Sequence, residues 1–453
     1  MQIKQQLAFL KSLLAGKDPG SSLRSRAMHS GVWIGAGFAV QKVLQLGSNL
    51  ILTRLLFPEA FGLMALANVF LIGMAMFSDI GLKPAVIRDP RGDDPQFLNT
   101  AWTIQAARGL MLCVIGALIA YPLSLIYRQP VLFPLFAVLS IIPAVSGFTS
   151  IGSAMAERRL DFRTTTLVQI AGQSASIGLL VTIAYFWRSV WALAVANVIS
   201  TVATVTIGHL LLSGPKGGHR LVMNRDHASS LVHFGRWIMF STIATYLGGE
   251  GLKAVQGGLL TPAEFGVLAI AYTIAGIPNE LAMKLSNVLG LSVLAETNRN
   301  TPQNVWGALH ALRLRTLGVA FFLFSGVILL AQPLIRFLYD SRYHEAGYFL
   351  ISLSLANAIA SIGQGYTSTI LALGKGSTYF YLTSAMATLR ILGLISGFEE
   401  GGITGMLYGV AVANIAATAL IWAIAQKSSL LDIRLDLNFL SATSLVFIIS
   451  LYL

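Results

Sequence analysis

A single cysteine, Cys113, lies in an apolar run of this 453-residue chain. No intrachain disulfide or cysteine metal site can form, and the thiol reads as a packing residue. Charge is scarce too, at 11 % of residues, and acids are the rarer sign, with 19 Asp and Glu against 31 Lys and Arg. So little charge cannot clothe a soluble domain of this size. Long polar connections are missing: no loop between apolar segments exceeds about thirty residues, which excludes an inserted soluble catalytic domain, and no GxxxxGK[ST] phosphate loop occurs. Whatever this chain does is therefore not driven by its own ATP hydrolysis. Strict alternation of apolar and polar residues is absent as well, which excludes a closed barrel and leaves helices as the way to satisfy the backbone in lipid.

Hydrophobic residues make up 55 % of the chain, and many runs approach twenty residues, enough to cross about 30 Å of hydrocarbon. The expected fold is an all-α polytopic membrane protein. The patterning predicts spans at 31–54, 61–82, 99–121, 131–153, 165–186 and 190–212, then at 232–256, 264–286, 316–335, 346–370, 378–397 and 403–425. The apolar run 439–453 is short, and reads either as a partial thirteenth span or as an interfacial segment. At the start, Ile3, Leu7, Leu10 and Leu14 share a helical face with Lys4, Lys11 and Lys17 elsewhere, the pattern of a helix lying on a membrane surface. Its interrupting lysines and the lack of a small-residue cleavage site argue against a signal peptide.

An inside N-terminus puts 20 Lys and Arg in cytoplasmic segments and 5 (Arg54, Arg128, Arg188, Arg336 and Arg342) in the opposite loops. The positive-inside rule thus predicts both ends of the twelve-span core in the cytoplasm of a plasma (inner) membrane protein. It also accounts for most of the net charge of +12, so no nucleic-acid partner is implied. Attraction of the basic loops to anionic lipid is the simpler meaning.

The chain is internally duplicated. LLFPEAFGLMALA at 55–67 returns as LLTPAEFGVLAIA at 259–271 with seven of thirteen positions identical, and AVANVIST at 194–201 returns as AVANIAAT at 411–418 with five of eight. Six spans per half make the repeats parallel. The implied organisation is a cytoplasmic N-terminal segment (1–27), an N-lobe (28–212), a linker (213–231), a C-lobe (232–425) and a C-terminal segment (426–453). Duplicated bundles of this kind place a binding cavity where the repeats meet. Pro58, Pro262, Gly62 and Gly266 in the first repeat pair read as turn makers without a ligand role.

Four cations fall deep within predicted spans: Lys42, Arg108, Lys253 and Arg390. Each costs roughly 2.5 to 3.5 kcal/mol at a helix centre, so each should face water or a partner instead of lipid. Lys42 begins a stripe with Gln45, Asn49 and Thr53, and Tyr246, Glu250, Lys253 and Gly257 form its counterpart on the seventh span. At the second repeat offset Arg390 falls on Gln173, and Asn357, Ser361, Gln364 and Ser368 mark the tenth span. Against four cations stands one acid, Glu250, so the set favours an anion such as a phosphate or pyrophosphate carried on a lipid. Ordinary alternatives stay open: Lys253 paired with Glu250 one turn earlier, Lys42 in an interhelical contact, Arg236, Glu280 and Lys284 snorkelling at helix ends, and Asp79 as a loop or gate contact.

TRLLFPEAFGLMALANVF at 53–70, FSDIGLKPAVIR at 77–88 and AMAERRLDFR at 154–163 closely resemble signatures of bacterial polysaccharide-export proteins. These are the Wzx-type oligosaccharide flippases of the multidrug/oligosaccharidyl-lipid/polysaccharide exporter superfamily, and the similarity runs from about residue 28 to 425. The resemblance implies two six-helix lobes around a cation-lined cavity and movement of an undecaprenyl pyrophosphate-linked oligosaccharide to the periplasmic leaflet, driven by an ion gradient, for surface polysaccharide such as lipopolysaccharide or exopolysaccharide. On this reading the chain is not an enzyme and holds no cofactor or metal. Lys42, Gln45, Asn49, Arg108, Lys253, Gln364 and Arg390 contact substrate, Glu250 couples the ion, and membrane lipids and other polysaccharide-assembly proteins are its partners. The rival readings are a small-molecule or multidrug exporter of the same superfamily, a murein-precursor flippase, and a membrane polysaccharide polymerase or ligase, which would need a long, residue-rich external loop.

Overall fold

A computed structural model describes residues 23–159, 161–212, 214–215, 218–285, 305–372, 376–427, 430–450 and 452. The expected surface helix at the N-terminus lies outside the described residues. All regular structure among the described residues is helical: α1 (Leu23–Leu55), α2 (Pro58–Phe77), α3 (Leu82–Arg88), α4 (Pro95–Ile126), α5 (Leu132–Leu139), α6 (Ile141–Gly147), α7 (Gly152–Arg158), α8 (Phe162–Phe186) and α9 (Val190–Leu211). Then follow α10 (Arg225–Gly248), α11 (Glu250–Leu259), α12 (Pro262–Leu285), α13 (Val305–Leu338), α14 (Ala346–Ala372), α15 (Gly376–Lys427) and α16 (Ile433–Ser450). Eight helices among the described residues are long and apolar enough to cross a membrane, or nine if Leu132–Gly147 and Gly152–Arg158, bent by 52°, form one span. The protein is a multi-pass helical membrane protein.

Helix stands at every predicted span, with informative differences. The fourth is broken into α5, α6 and α7, and the seventh into α10 and α11. The ninth begins at Val305, well before residue 316, so Arg313, counted among the cytoplasmic loop cations, lies within α13. The eleventh and twelfth are the two arms of α15, which bends at Gly401 and Gly402, the latter with φ 59°. Glycine allows that conformation cheaply. The C-terminal apolar run belongs to a helix that starts earlier, at Ile433.

Contacts divide the chain into two compact units, 1–56 with 70–242, and 57–69 with 243–453. In the first unit α1 lies along α8, with Gly37 seated on Thr166 and Gln41 Nε2 donating to Gln169 Oε1 at 3.1 Å. Gly109 of α4 and Gly147 of α6 let those backbones touch, and Gln105 Nε2 donates to the carbonyls of Gly147 (3.1 Å) and Thr149 (3.0 Å), which satisfies the end of α6. Small residues at such crossings are the usual device where lipid supplies no hydrophobic drive between helices.

The second and third signature motifs build a polar clasp. Arg158 NH1 donates to the carbonyls of Val86 (3.0 Å), Ile87 (2.9 Å) and Asp89 (2.6 Å), its Nε donates to Asp93 at 3.2 Å, and Lys83 pairs with Glu157 at 2.6 Å. The orphan carbonyls at the end of α3 are thereby capped. The paired hydrogen bonds from Arg91 hold the Asp89 carboxyl at about 2, below its ordinary 3.8. Beneath the clasp, Val86, Phe97, Leu98, Met155 and Leu231 form an apolar core.

Residues 219–224 run along α4. Arg220, Val222 and Asn224 donate backbone N–H groups to Asn99 (3.0 Å), Thr103 (3.0 Å) and Thr100 (3.3 Å). His219 accepts from the Ile151 N–H at 3.3 Å, and burial, then the neighbouring His209, hold its pKa down. The stretch read as a linker is therefore docked onto the first unit by a ladder of side-chain acceptors.

In the second unit the duplicated glycines meet. A Cβ on Gly62 would stand 1.8 Å from the Pro262 carbonyl oxygen, and one on Gly266 would stand 1.9 Å from that of Pro58. The two copies of the motif thus cross backbone to backbone, so these glycines are packing points, a stronger constraint than a turn. Thr261 and Glu264 form a capping box at the start of α12, with Thr261 N–H to Glu264 Oε2 at 2.8 Å. The arms of α15 approach through Gly393, Gly397, Gly405 and Gly409.

Candidate functional site

Lys42 sits half-buried on α1, donates from Nζ to Gln45 Oε1 at 3.0 Å, and stands 5.6 Å over the Phe38 ring. Asn49 is half-buried on the same helix, and Thr53 is buried with its hydroxyl on the Leu50 carbonyl at 3.2 Å. The predicted stripe is thus one helix face, and its members make local bonds.

Arg108 on α4 reaches the end of α2. Its Nε donates to Ser78 Oγ at 2.9 Å and its NH2 to the Ala75 carbonyl at 2.5 Å, while Ser78 in turn donates to the Met74 carbonyl at 2.7 Å. Asp79 lies within electrostatic reach of Arg108, and its Oδ1 accepts from the Gly81 N–H at 2.9 Å, a loop contact of the kind expected for it. Arg108 therefore takes neutral oxygens as its hydrogen-bond acceptors.

In the second unit, the seventh predicted span breaks in YLGGEG. Gly249 has φ −123° and ψ −86°, and the chain resumes as α11 at Glu250. Across the break Gly249 N–H bonds to the Tyr246 carbonyl (3.1 Å) and Leu252 N–H to that of Gly249 (3.2 Å), so the regular ladder is interrupted. Such breaks are tolerated at membrane depth only where protein or a wet cavity satisfies the freed groups. Arg390, from the first arm of α15, donates from NH1 to the Gly248 carbonyl at 3.1 Å and from Nε to Asn414 Oδ1 at 2.7 Å. Asn414 Nδ2 donates to the Ala356 carbonyl at 2.8 Å. Just past the break Lys253 pairs with Glu250 at 2.7 Å and stands 5.1 Å over the Tyr272 ring, and the Tyr272 hydroxyl donates to Gln256 at 2.9 Å. The one-turn pairing of Lys253 and Glu250 is present as the simpler alternative had it.

Gln364 donates to Asn279 Oδ1 at 3.1 Å, and Asn357 to the Ala275 carbonyl at 3.5 Å, so the tenth-span stripe bonds to α12. The described side chains do not include those of Arg236 and Lys284. The structure therefore groups the predicted residues by helix: Lys42, Gln45 and Asn49 on α1, Arg108 on the end of α2, Glu250, Lys253 and Arg390 at the break, and Gln364 against α12.

Sequence reasoning missed a second polar cluster. Arg313, 1 % exposed, donates to Tyr366 Oη at 2.7 Å and pairs with Asp436, 0 % exposed, which also accepts from Tyr366 (2.9 Å) and Trp422 (2.8 Å). The Arg313 guanidinium lies 3.8 Å over the Tyr366 ring, and His310 contacts Asp432 at 2.5 Å. This network ties α13, α14, the second arm of α15 and α16 together. Its signal in the sequence was an aspartate opening an apolar run.

Comparison with known proteins places the chain. A family model described as polysaccharide biosynthesis protein matches residues 51–347. The chain is 22 % identical over 79 % of its length, and 70 % of the other's, to the succinoglycan biosynthesis transport protein ExoT of Rhizobium meliloti (strain 1021). It is 20 % identical over 88 % of its length, and 80 % of the other's, to the lipopolysaccharide biosynthesis protein WzxC of Escherichia coli (strain K12). Among solved structures, an inward-facing multidrug resistance MATE family transporter of the MOP superfamily superposes with TM-score 0.68 at 16 % identity, covering 86 % of this chain and 95 % of the other. The lipid II flippase MurJ, in an inward closed conformation, superposes with TM-score 0.62 at 13 % identity, covering 94 % and 93 %. The fold is thus that of these transporters, and the chain belongs to the polysaccharide biosynthesis protein family, in line with the Wzx-type resemblance of its three motifs.

Proposed function

We propose that the protein is a flippase that moves a lipid-linked oligosaccharide, carried on undecaprenyl pyrophosphate, from the cytoplasmic to the periplasmic leaflet of the inner membrane by alternating access. Both ends of its helical core face the cytoplasm. No covalent bond changes. Lys42, Arg108 and Lys253 meet the phosphates, Gln45, Asn49 and Gln364 meet sugar or water, and Glu250 couples the cycle to an ion, most simply a proton. A charge crossing the full membrane potential gains about 2.3 kcal/mol per 100 mV, so one or two protons suffice to bias the cycle.

The observation that carries this reading is the company Arg108 keeps. A hydroxyl and a backbone carbonyl take its hydrogen bonds, and Asp79, within electrostatic reach, bonds to the Gly81 N–H and not to the guanidinium, which leaves Arg108 attractive to an anion. Support comes also from relatives named for succinoglycan transport and for lipopolysaccharide and teichuronic acid biosynthesis. An organic-cation exporter would be opposed by the same field.

The test is Lys42→Ala in a strain whose surface polysaccharide depends on this protein. Export is expected to stop while the amount of protein in the membrane stays the same. Normal export would remove Lys42 from the site, and movement of an organic cation by the purified protein in place of a lipid-linked glycan would overturn the substrate class.

A further inference from the structure

Gln173 and Arg390 occupy matched positions of the duplication, 217 residues apart, and they act alike in the two units. On α8, Gln173 Nε2 donates to the carbonyl of Gln41 at 3.0 Å, the residue just before Lys42. On the first arm of α15, Arg390 NH1 donates to the carbonyl of Gly248 at 3.1 Å, two residues before Glu250. In each unit a polar side chain from the fifth predicted span grips the main chain of the first predicted span of its half, at the threshold of the charged residues.

We propose that Gln173 and Arg390, the latter braced by Asn414, are positioning residues. Each sets where the charged side chains of the gripped helix stand, and Arg390 spends its donors on protein instead of on phosphate. What those charged side chains do rests on the flippase reading above; the grip itself does not.

The difference between the two residues follows from the helices they hold. Through Gln41, α1 is continuous, so its carbonyl already has a ladder partner and a neutral carboxamide adds a second bond. At Gly248 the ladder stops, and a carbonyl left without a donor in an apolar layer is costly. A charged donor bonds it more strongly and is oriented by a second acceptor. Asn414, 4 % exposed, supplies that acceptor and is itself fixed by donating to the Ala356 carbonyl. It is also the asparagine of the second AVAN repeat, while its counterpart Asn197 bonds within its own helix, to Leu193 at 2.8 Å. The brace is present in the unit whose helix is broken.

The experiment compares Arg390→Ala, Arg390→Gln and Asn414→Ala, all in the full-length protein, by two readouts. The first is amide hydrogen exchange of the segment 246–252 in lipid nanodiscs, and the second is translocation of a fluorescent undecaprenyl pyrophosphate-linked oligosaccharide in proteoliposomes. Arg390→Ala is expected to speed exchange across the break by about tenfold or more and to lower translocation to a comparable degree. Arg390→Gln, whose amide nitrogen stands where Arg390 Nε does and so keeps Asn414 but loses the Gly248 carbonyl, should exchange and translocate much as Arg390→Ala does. Asn414→Ala should loosen the break with Arg390 intact. If Arg390→Gln exchanges like the parent yet translocates as poorly as Arg390→Ala, the charge itself is needed and the positioning role is wrong. Unchanged exchange in Arg390→Ala would overturn it as well. Should Arg390→Ala not accumulate in membranes, the Gln and Asn414 variants still decide by exchange. If the parent moves no lipid-linked glycan at all, the flippase reading fails while the exchange comparison continues to judge the grip.

Discussion

Replacing Asp436 by Asn should unfasten α16 from the second unit. Arg313 and Asp436 are 1 % and 0 % exposed, so the aspartate is the counter-charge of a guanidinium enclosed by protein. Removing one partner of such a pair costs roughly 3 to 5 kcal/mol, because the remaining charge stays buried. An asparagine oxygen can take the place of Oδ2, which accepts from both Tyr366 and Trp422, so the lower end, about 3 kcal/mol, is expected. For a unit of this size each kcal/mol moves the melting point by about 2 to 4 °C, which gives a drop of about 6 to 12 °C. Tryptophan fluorescence during heating of the detergent-solubilised protein reads it, with Trp422 as the local reporter. The triple variant Arg313→Met, Tyr366→Phe, Asp436→Leu removes both charges and the hydroxyl that bridges them, and should melt above the single variant. If Asp436→Asn melts with the parent, or the triple variant falls below it, the pair is not the dry clamp described.

Glu250→Gln should change the pH dependence of glycan translocation, since it removes the carboxylate next to Lys253 at the helix break; an identical profile would discard the coupling role. Gly266→Ala places a Cβ 1.9 Å from the Pro58 carbonyl, so the crossing helices must part, with a loss of about 1 to 3 kcal/mol in stability and a fall in export; unaltered melting would mean the backbones are not in contact. Asp89, held at about 2 against an ordinary 3.8, adds stability that is complete above pH 4 and is lost as the pH falls toward 2. Pepsin cleavage just past the 89–94 loop, at Phe97 or Leu98, should therefore rise over that window in the parent, and Asp89→Asn should be cleaved evenly across it; the same profile in both would separate Asp89 from the loop's stability.

Most of the helices were legible because the signal that marks them, apolar runs bounded by Pro, Gly and charge, is the same property that puts them in lipid. The duplication was legible from LLFPEAFG and LLTPAEFG, yet its meaning was not. Gly62 and Gly266 read as turn residues, and only three dimensions show that the repeat is written where two backbones touch. Helix breaks escaped for a related reason. YLGGEG contains residues common in membrane helices, and hydropathy averages over the one peptide at Gly249 where the ladder stops. Arg313 was assigned to a loop because a cation near the start of a span looks like positive-inside charge; its partner Asp436 is 123 residues away, beyond any pattern a single helix can show. The cations at 42, 108, 253 and 390 stood out because each is expensive where it stands, but expense alone does not say what a side chain holds.

Arg108 and Arg313 make that last distinction concrete. Arg313 is fully enclosed, with a carboxylate on one side and an aromatic face 3.8 Å away on another, and so it is neutralised by its surroundings. Arg108 is half-buried and bonds to a serine hydroxyl and a carbonyl, which carry no charge. An arginine does not lose its proton in a protein, so it cannot escape an apolar site by neutralising itself. A dry site must then supply an acid, as α16 does for Arg313. Arg108 has Asp79 within electrostatic reach but not hydrogen-bonded to it, since Asp79 Oδ1 accepts from the Gly81 N–H, so its charge is met less closely than that of Arg313 and room is left for water or an anion. Arg108→Gln keeps a donor for Ser78 while deleting the charge, so it should leave melting within about 1 kcal/mol of the parent and still abolish glycan translocation. Retained translocation would show Arg108 to be a helix cap alone.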